Sequence, residues 1–138
     1  MTDVTSVNLD YPEIRILNSM EEYKRETIEL DATDRAVGRV ATEAATILIG
    51  KHKPTFERHI DRGDFVVINN AGNVKFTGKK LVQKDYYRHT QYPGGLITTA
   101  MKKVFEKDPT DVMRRAVYSM LPKNKLRKEM LKRLTINI

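Results

Sequence analysis

The stretch "TIELDATDRAVGRVATEAATILIG" (residues 27–50) decides the fold class, because it joins a strand pattern directly to a helix pattern. Its first part alternates and contains β-branched residues, which predicts a strand that ends near Thr33. In the second part, small or apolar residues recur with a helical period, and Gly50 marks the predicted end of the helix. The helical stripe consists of Val37, Val40, Ala41, Ala44 and Leu48.

The next apolar segment, "DFVVIN" (residues 64–69), completes a strand-helix-strand unit. A short and nearly continuous apolar run is typical of a strand that is covered on both faces. A strand, a helix and a second strand in this order indicate a βαβ unit. The sequence therefore predicts an α/β domain with a parallel sheet.

Two further helices and a last strand are predicted in the C-terminal part. Asp108 is a suitable N-cap, with proline at the first helical position, and Pro122 should stop this helix after about Leu121. The segment "NKLRKEMLKRL" predicts another one or two amphipathic turns, and "LTINI" can close the chain as a strand. The residues expected to point inward from the second helix are Leu126, Met130 and Leu131.

Length and composition indicate one globular domain. The chain has 138 residues, of which 40% are apolar and 31% charged, and we find no internal repeat. It contains no cysteine, which excludes disulfides and thiolate metal sites. The longest aliphatic run, at residues 44–49, is far shorter than the roughly 20 residues that cross a bilayer, so no membrane segment is predicted.

The charges are distributed unevenly along the chain. The first 30 residues contain seven acidic and three basic residues, whereas residues 31–138 contain 22 basic and 11 acidic residues, a net charge of +11. We interpret residues 1–26 as an acidic N-terminal extension and residues 27–138 as the domain. A charge of this size attracts polyanions at long range, and by itself leaves RNA, DNA and anionic membrane as candidates.

Basic residues are concentrated in three segments, at 51–62, 75–88 and 123–133. A single basic helix face is as often merely solvated as functional. Three separate clusters in one domain favour contact with a polyanion on several sides.

The stretch "YYRHTQYPGG" (residues 86–95) combines aromatic and cationic side chains with a turn signal. Such a mixture suits stacking on nucleobases and pairing with phosphates, although a tyrosine with a histidine could also be an acid/base pair. Neighbours on a strand point to opposite faces, so we expect one of Tyr86 and Tyr87 in the core and the other exposed with His89. Pro93 and Gly94 fit the central positions of a type II turn.

Signatures of enzymes are weak. There is no G-x-G-x-x-G motif after the first strand, and "GKHKPTF" lacks the glycine loop and the Ser/Thr of a P-loop, so nucleotide hydrolysis has no support. The segment "HKPTFERHIDRGD" (residues 52–64) leaves one alternative open, a metal-dependent nuclease. Its ligands would be His52, His59, Asp61 and Asp64. We interpret the two aspartates instead as turn residues around a left-handed Gly63.

Several motifs resemble the bacterial-type large-subunit ribosomal protein L thirteen family. They are "DAT" with "GRVAT", "GKHKP", "DRGDFVVIN", "FTGKK", "YYRHTQYPGG", and "MLPKNKL" with "MLKRL", which follow one another over about three-quarters of the chain. The resemblance implies a three-layer α/β/α single domain around a small, mainly parallel sheet. It also implies a structural constituent of the cytoplasmic large ribosomal subunit that enters assembly early and supports translation.

The same resemblance implies the partners and the site. The partners would be large-subunit ribosomal RNA and neighbouring large-subunit proteins, with no membrane, cofactor, small-molecule substrate or catalysis. Binding of messenger RNA through the same surface, as a regulator outside the ribosome, stays open. The predicted RNA-binding residues are Lys51, His52, Lys53, Arg58, His59, Lys79, Lys80, Lys84, Tyr86, Tyr87, Arg88, His89, Tyr92, Lys123, Lys125, Arg127, Lys128, Lys132 and Arg133.

Overall fold

The structure is a computed structural model that describes residues 25–138. The predicted N-terminal extension therefore lies outside the described residues, apart from Arg25 and Glu26. In chain order the elements are β1 (Thr27–Asp31), α1 (Val37–Ile49), β2 (Phe65–Asn69), α2 (Lys80–Gln83), β3 (Asp85–His89), β4 (Leu96–Ala100), α3 (Met101–Lys107), α4 (Pro109–Met120), α5 (Arg127–Lys132) and β5 (Leu134–Ile136).

Three of the strands form a parallel sheet in the order β1-β2-β5. The centre strand β2 pairs with both neighbours in parallel, so Val66 lies between Ile28 and Leu134. This confirms the α/β class, the parallel sheet and the predicted last strand. The first strand ends at Asp31 and not near Thr33, because the Asp31 carboxylate accepts hydrogen bonds from the Thr33 amide (3.0 Å) and hydroxyl (2.7 Å) and turns the chain.

The hydrophobic core lies between this sheet and helices α1, α4 and α5. Val66 and Ile68 of β2 are fully buried against the predicted stripe of α1 and against Met113 and Val117 of α4. Burying each such side chain contributes roughly 1.5–3 kcal/mol relative to leaving it exposed. None of the helices in the described part of the chain is long and apolar enough to span a membrane.

Among residues 25–138, the opposite face of the sheet keeps exposed side chains and has no helix packed on it. Helices α1 and α4 pack against each other over the same face of the sheet, that of the core. Side chains alternate along each strand, which turns the neighbours of the core residues outward. We call this the outer sheet face. It consists of Thr27, Glu29, Asp31, Phe65, Val67, Asn69 and Thr135.

The helix ends follow the sequence signals closely. Gly50 is left-handed (φ 84°) and its amide donates to the last turn of α1, as predicted. The Asp108 carboxylate accepts a hydrogen bond from the Thr110 amide (2.9 Å) and caps α4, which runs to Met120 as expected.

Strands β3 and β4 form a separate antiparallel hairpin. At its tip the Gly95 amide donates to the Tyr92 carbonyl (3.0 Å) and Gly94 has φ 73°, which confirms the type II turn. Neither β4 nor α3 was predicted. Helix α3 is attached to the segment before α2 by an edge-to-face contact between Phe105 and Phe76, whose ring centroids are 4.9 Å apart.

Candidate RNA-binding surface

The hairpin divides the two adjacent tyrosines between its faces, as predicted. Tyr86 is half-buried, whereas Tyr87 is 66% exposed. His89 is exposed and lies two residues beyond Tyr87, on the same face of the strand. At the tip Tyr92 is 82% exposed. Two aromatic rings of one hairpin are therefore open to a partner.

Tyr86 is held between two cations. The Arg115 guanidinium lies 4.9 Å and the Lys84 ammonium 5.3 Å from the centre of the ring, and Arg115 is itself fixed by Asp111 (Nε to Oδ2, 2.9 Å). Burial raises the pKa of the Tyr86 hydroxyl, against the opposing effect of Arg115. Because the phenol stays protonated at neutral pH, it is a hydrogen-bond donor and a poor candidate for a general base.

A cleft of about 590 Å³ separates the hairpin from α3 and α4. We call it the hairpin cleft. Its walls combine aromatic, cationic and a few acidic side chains: Tyr86, Tyr87, Arg88, Ile97, Thr99, Lys103, Val104, Lys107, Asp108, Asp111 and Arg115. The cationic residues of three elements meet there, which is an arrangement suited to phosphates next to bases.

A second groove, of about 540 Å³, runs along the other side of Tyr86. Its cationic residues are Arg39, Lys75, Lys80 and Lys84. The N-terminus of α1 opens into this groove without a side-chain cap or an acidic residue in its first turn. Free amides at a helix N-terminus favour anions, so the groove is also electrostatically suited to phosphate.

The loop after α1 meets the turn after α4 at a third cleft, of about 450 Å³. Lys51 and Arg58 of the loop line it together with Pro122 and Asn124 of the turn. The structure thus brings the first and third basic segments of the sequence next to each other.

Asp64 is an internal anchor rather than a turn residue. Its fully buried carboxylate accepts hydrogen bonds from Lys53, from His52 Nε2 (2.9 Å) and from the Glu26 amide (3.1 Å). His52 and Lys53, predicted to bind RNA, are therefore turned toward Asp64. Gly63 is not left-handed either, so the turn interpretation of this segment was wrong.

Arg133, like Asp64, is buried and makes its contacts within the fold. Its side chain is 5% exposed, and its guanidinium donates to both carboxylate oxygens of Asp61 and to the Leu48 carbonyl (3.1 Å). Arg127 donates to the carbonyls of Leu121 (3.1 Å) and Pro122 (2.9 Å) at the end of α4. Both arginines, which the sequence predicts to bind RNA, thus use these donors for bonds within the fold.

The other predicted cations and His59 are exposed. Some of them have carboxylate neighbours, as His59 has Glu57 (3.3 Å) and Lys132 has Glu129 (2.9 Å). The exposed set is Lys51, Arg58, His59, Lys79, Lys80, Lys84, Arg88, His89, Lys123, Lys125, Lys128 and Lys132.

The contacts of Asp64 make stability depend on pH. Burial alone would raise the pKa of the carboxyl, but the hydrogen bonds from Lys53, the Glu26 amide and His52 outweigh it and leave the pKa below its ordinary value. A lowered pKa stabilises the fold above the pKa of the unfolded chain, about 3.9, and this contribution is lost as the pH falls through the folded value.

We expect the difference in unfolding free energy between the wild type and Asp64→Asn to shrink as the pH falls from about 5 to about 2. Urea denaturation at several pH values measures it. Asp31 and Asp108, whose pKa values are also lowered, titrate in both proteins and cancel in the difference. A constant difference over this range would contradict the assigned contacts.

The whole of this surface lies in a region that matches a known family. A family model described as ribosomal protein L13 matches residues 25–137. The chain belongs to the ribosomal protein L13 family. The resemblance inferred from the sequence motifs is thereby confirmed.

Relatives of the ribosomal protein L13 family match along most of their length. The large ribosomal subunit protein uL13 of Aliarcobacter butzleri is 51% identical over 115 residues, which cover 83% of each chain. The uL13 protein of Desulfotalea psychrophila is 47% identical over 122 residues, 88% of this chain and 86% of its own. That of Aquifex aeolicus is 49% identical over 116 residues, 84% of this chain and 81% of its own.

In the part of this L13 chain that the structure describes, the side chains predicted as metal ligands do not form a metal site. No three histidine or carboxylate side chains among residues 25–138 are grouped so that they could hold a metal ion. Asp61 is paired with Arg133, and Asp64 with Lys53 and His52. His59 instead lies beside Glu57. The four residues proposed as metal ligands therefore have other contacts among the described residues.

Several cations of the L13 surface were not predicted from the sequence. Arg39, Lys103, Lys107 and Arg115 line the two clefts beside Tyr86 and lie outside the three basic segments of the sequence. The signal for α3 was present, since Met101, Val104 and Phe105 are spaced as on one helix face. How close α3 lies to the hairpin, however, depends on tertiary packing, which no local sequence pattern shows.

Proposed function

We propose that this chain is a non-catalytic structural constituent of the large ribosomal subunit, which binds the ribosomal RNA through the hairpin cleft and the basic groove beside it. The observation that carries the proposal is the hairpin itself, which exposes Tyr92 at its tip and places the exposed Tyr87 in one cleft with Arg88 and the cations of α3. Membership of the ribosomal protein L13 family supports it.

The chemistry fits folded RNA better than a regular duplex. Exposed tyrosine rings can stack on bases that are unpaired in loops and junctions, while lysine and arginine neutralise the surrounding phosphates. Phosphate contacts fix the position of the protein but carry no sequence information. Recognition would therefore depend on the shape of a folded RNA junction and on many modest contacts.

The expected cellular location of the protein follows from its proposed role in the large subunit. The protein would act in the cytoplasm as part of the subunit, touch neighbouring large-subunit proteins, and support early assembly and translation. Co-sedimentation with large subunits after a salt wash would test this directly. A protein that stays at the top of the gradient under conditions that retain other subunit proteins would contradict the proposed function.

Replacing Tyr87 or Tyr92 by alanine should weaken binding to protein-free large-subunit rRNA about 5- to 150-fold each, because a stacked base contributes roughly 1–3 kcal/mol. The dissociation constant is measured by filter binding at fixed magnesium and salt. Both side chains are largely exposed, so the folded state should be little affected.

Tyr118→Ala is the matched control. Tyr118 is also a half-exposed tyrosine, but it lies on α4 under the Arg127 guanidinium, 4.4 Å from its ring centre. Circular dichroism should show all three variants folded. If Tyr118→Ala weakens RNA binding as much as the hairpin variants do, the hairpin has no special role and only a diffuse cationic surface remains.

A further inference from the structure

The outer sheet face differs from the rest of the surface in charge. Its seven side chains include the carboxylates of Glu29 and Asp31 and no lysine or arginine, in a chain whose formal net charge is +7. Asp31 accepts hydrogen bonds from Asn70 (3.0 Å) and Thr33, which hold its pKa at about 2. The Asp31 carboxylate is therefore ionised at neutral pH, and the two carboxylates of the face disfavour contact with RNA phosphates.

The polar side chains of this face are ordered by one another. The Asn69 amide donates to a Glu29 carboxylate oxygen (3.3 Å), and the Asn137 amide donates to the Asn69 carbonyl oxygen (2.9 Å). These bonds run across all three strands, from β1 to the residue after β5. Side chains of the three strands are thus joined by a row of hydrogen bonds across the face.

The centre of the face is apolar. Phe65 is 42% exposed on the central strand, and Val67 lies two residues further along the same strand face. No helix in the described part of the chain covers them. This apolar centre lies beside carboxylates of the neighbouring strand, since Glu29 is opposite Val67 and Asp31 is opposite Asn69. Such a surface matches a peptide that carries both apolar and cationic side chains.

We propose that the outer sheet face docks a lysine- and arginine-rich extended segment of a neighbouring large-subunit protein. An apolar side chain of that segment would pack on Phe65 and Val67, and its cations would pair with Glu29 and Asp31. The proposal rests on the proposed function, because the large subunit supplies the partner.

The chain itself is a poor source for such a segment. Residues 1–24 contain five acidic and only two basic residues, so their net charge has the same sign as that of the face. A second copy of the domain would bring a cationic surface, but that surface is the one proposed to bind RNA. Charge complementarity therefore selects a basic segment of another protein.

The test uses photocrosslinking in assembled subunits. Thr135, an exposed residue of the face, is replaced by p-benzoylphenylalanine, and large subunits that contain the variant are purified and irradiated. We expect mass spectrometry to identify a crosslink to a lysine- and arginine-rich peptide of another subunit protein. The same photoreactive residue at position 92 should crosslink to rRNA instead.

A charge variant makes the test specific. When Glu29→Lys is combined with the photoreactive residue at position 135, the yield of the protein crosslink should fall at least fivefold. Glu106→Lys, the same charge change on α3, should leave this yield unchanged. A crosslink from position 135 to rRNA or to residues 1–24, no crosslink, or equal effects of the two lysine variants would overturn the proposal. Failure of the wild-type chain to enter subunits would overturn the proposed function, whereas entry of the variant without the protein crosslink would overturn only the docking.

Discussion

Gly63→Ala should strongly destabilise the domain. A β-carbon at position 63 would lie 1.8 Å from the carbonyl oxygen and 2.5 Å from the carbonyl carbon of Leu48. Both atoms belong to the backbone of α1, and Leu48 is fully buried in the core. No side-chain rotation can relieve such a contact, so either the helix or the start of β2 must move.

The expected destabilisation is at least about 3 kcal/mol, at the upper end of overpacking effects and a large part of the roughly 5–15 kcal/mol that stabilises a typical domain. Urea denaturation followed by circular dichroism measures it. A midpoint within experimental error of the wild type would show that the loop and α1 are not in contact at this point.

Gly38→Ala is a matched control for this change. It is the same substitution, but a β-carbon at Gly38 has no atom within 4 Å, and the residue lies in the first turn of α1. Alanine has a higher helix propensity than glycine, by up to about 1 kcal/mol. We therefore expect this variant to be as stable as the wild type or slightly more stable.

The second large effect is expected at the buried ion pair. Asp61→Ala should destabilise the domain by about 3–5 kcal/mol, because it leaves the Arg133 guanidinium buried without its counter-charge. The side chains of Arg133 and Asp61 are only 5% and 13% exposed, so solvent can compensate little. Thermal and urea unfolding of the purified variant measure the loss.

The double variant Asp61→Ala with Arg133→Met distinguishes a buried charge from lost packing. Methionine keeps much of the volume and removes the charge, so the double variant should recover most of the loss. The Arg133 Nε has no hydrogen-bond partner among the described residues, which is one further cost that methionine removes. Equal losses in the single and the double variant would mean that the ion pair is not what stabilises this region.

Local sequence signals predicted the structural features that depend on contacts between residues close together in the chain. Asp108 and Gly50 bound their helices through contacts within one turn, and the alternation of Tyr86 and Tyr87 follows from the geometry of a strand. The pairing of Asp61 with Arg133 joins residues 72 positions apart, and no pattern near either residue shows it. Spacing therefore predicted where cations are concentrated, but not which of them face inward.

The order of the strands along the chain has a consequence for synthesis. The central strand β2 pairs with β5 at Val66 and Leu134, so the sheet joins segments that leave a ribosome far apart in time. Until β5 has emerged, one edge of β2 has no partner and the core lacks Met130 and Leu134. A nascent chain arrested after residue 122 should thus be cut readily by proteases and should tend to self-associate. The domain would complete its fold only after β5 has left the ribosome.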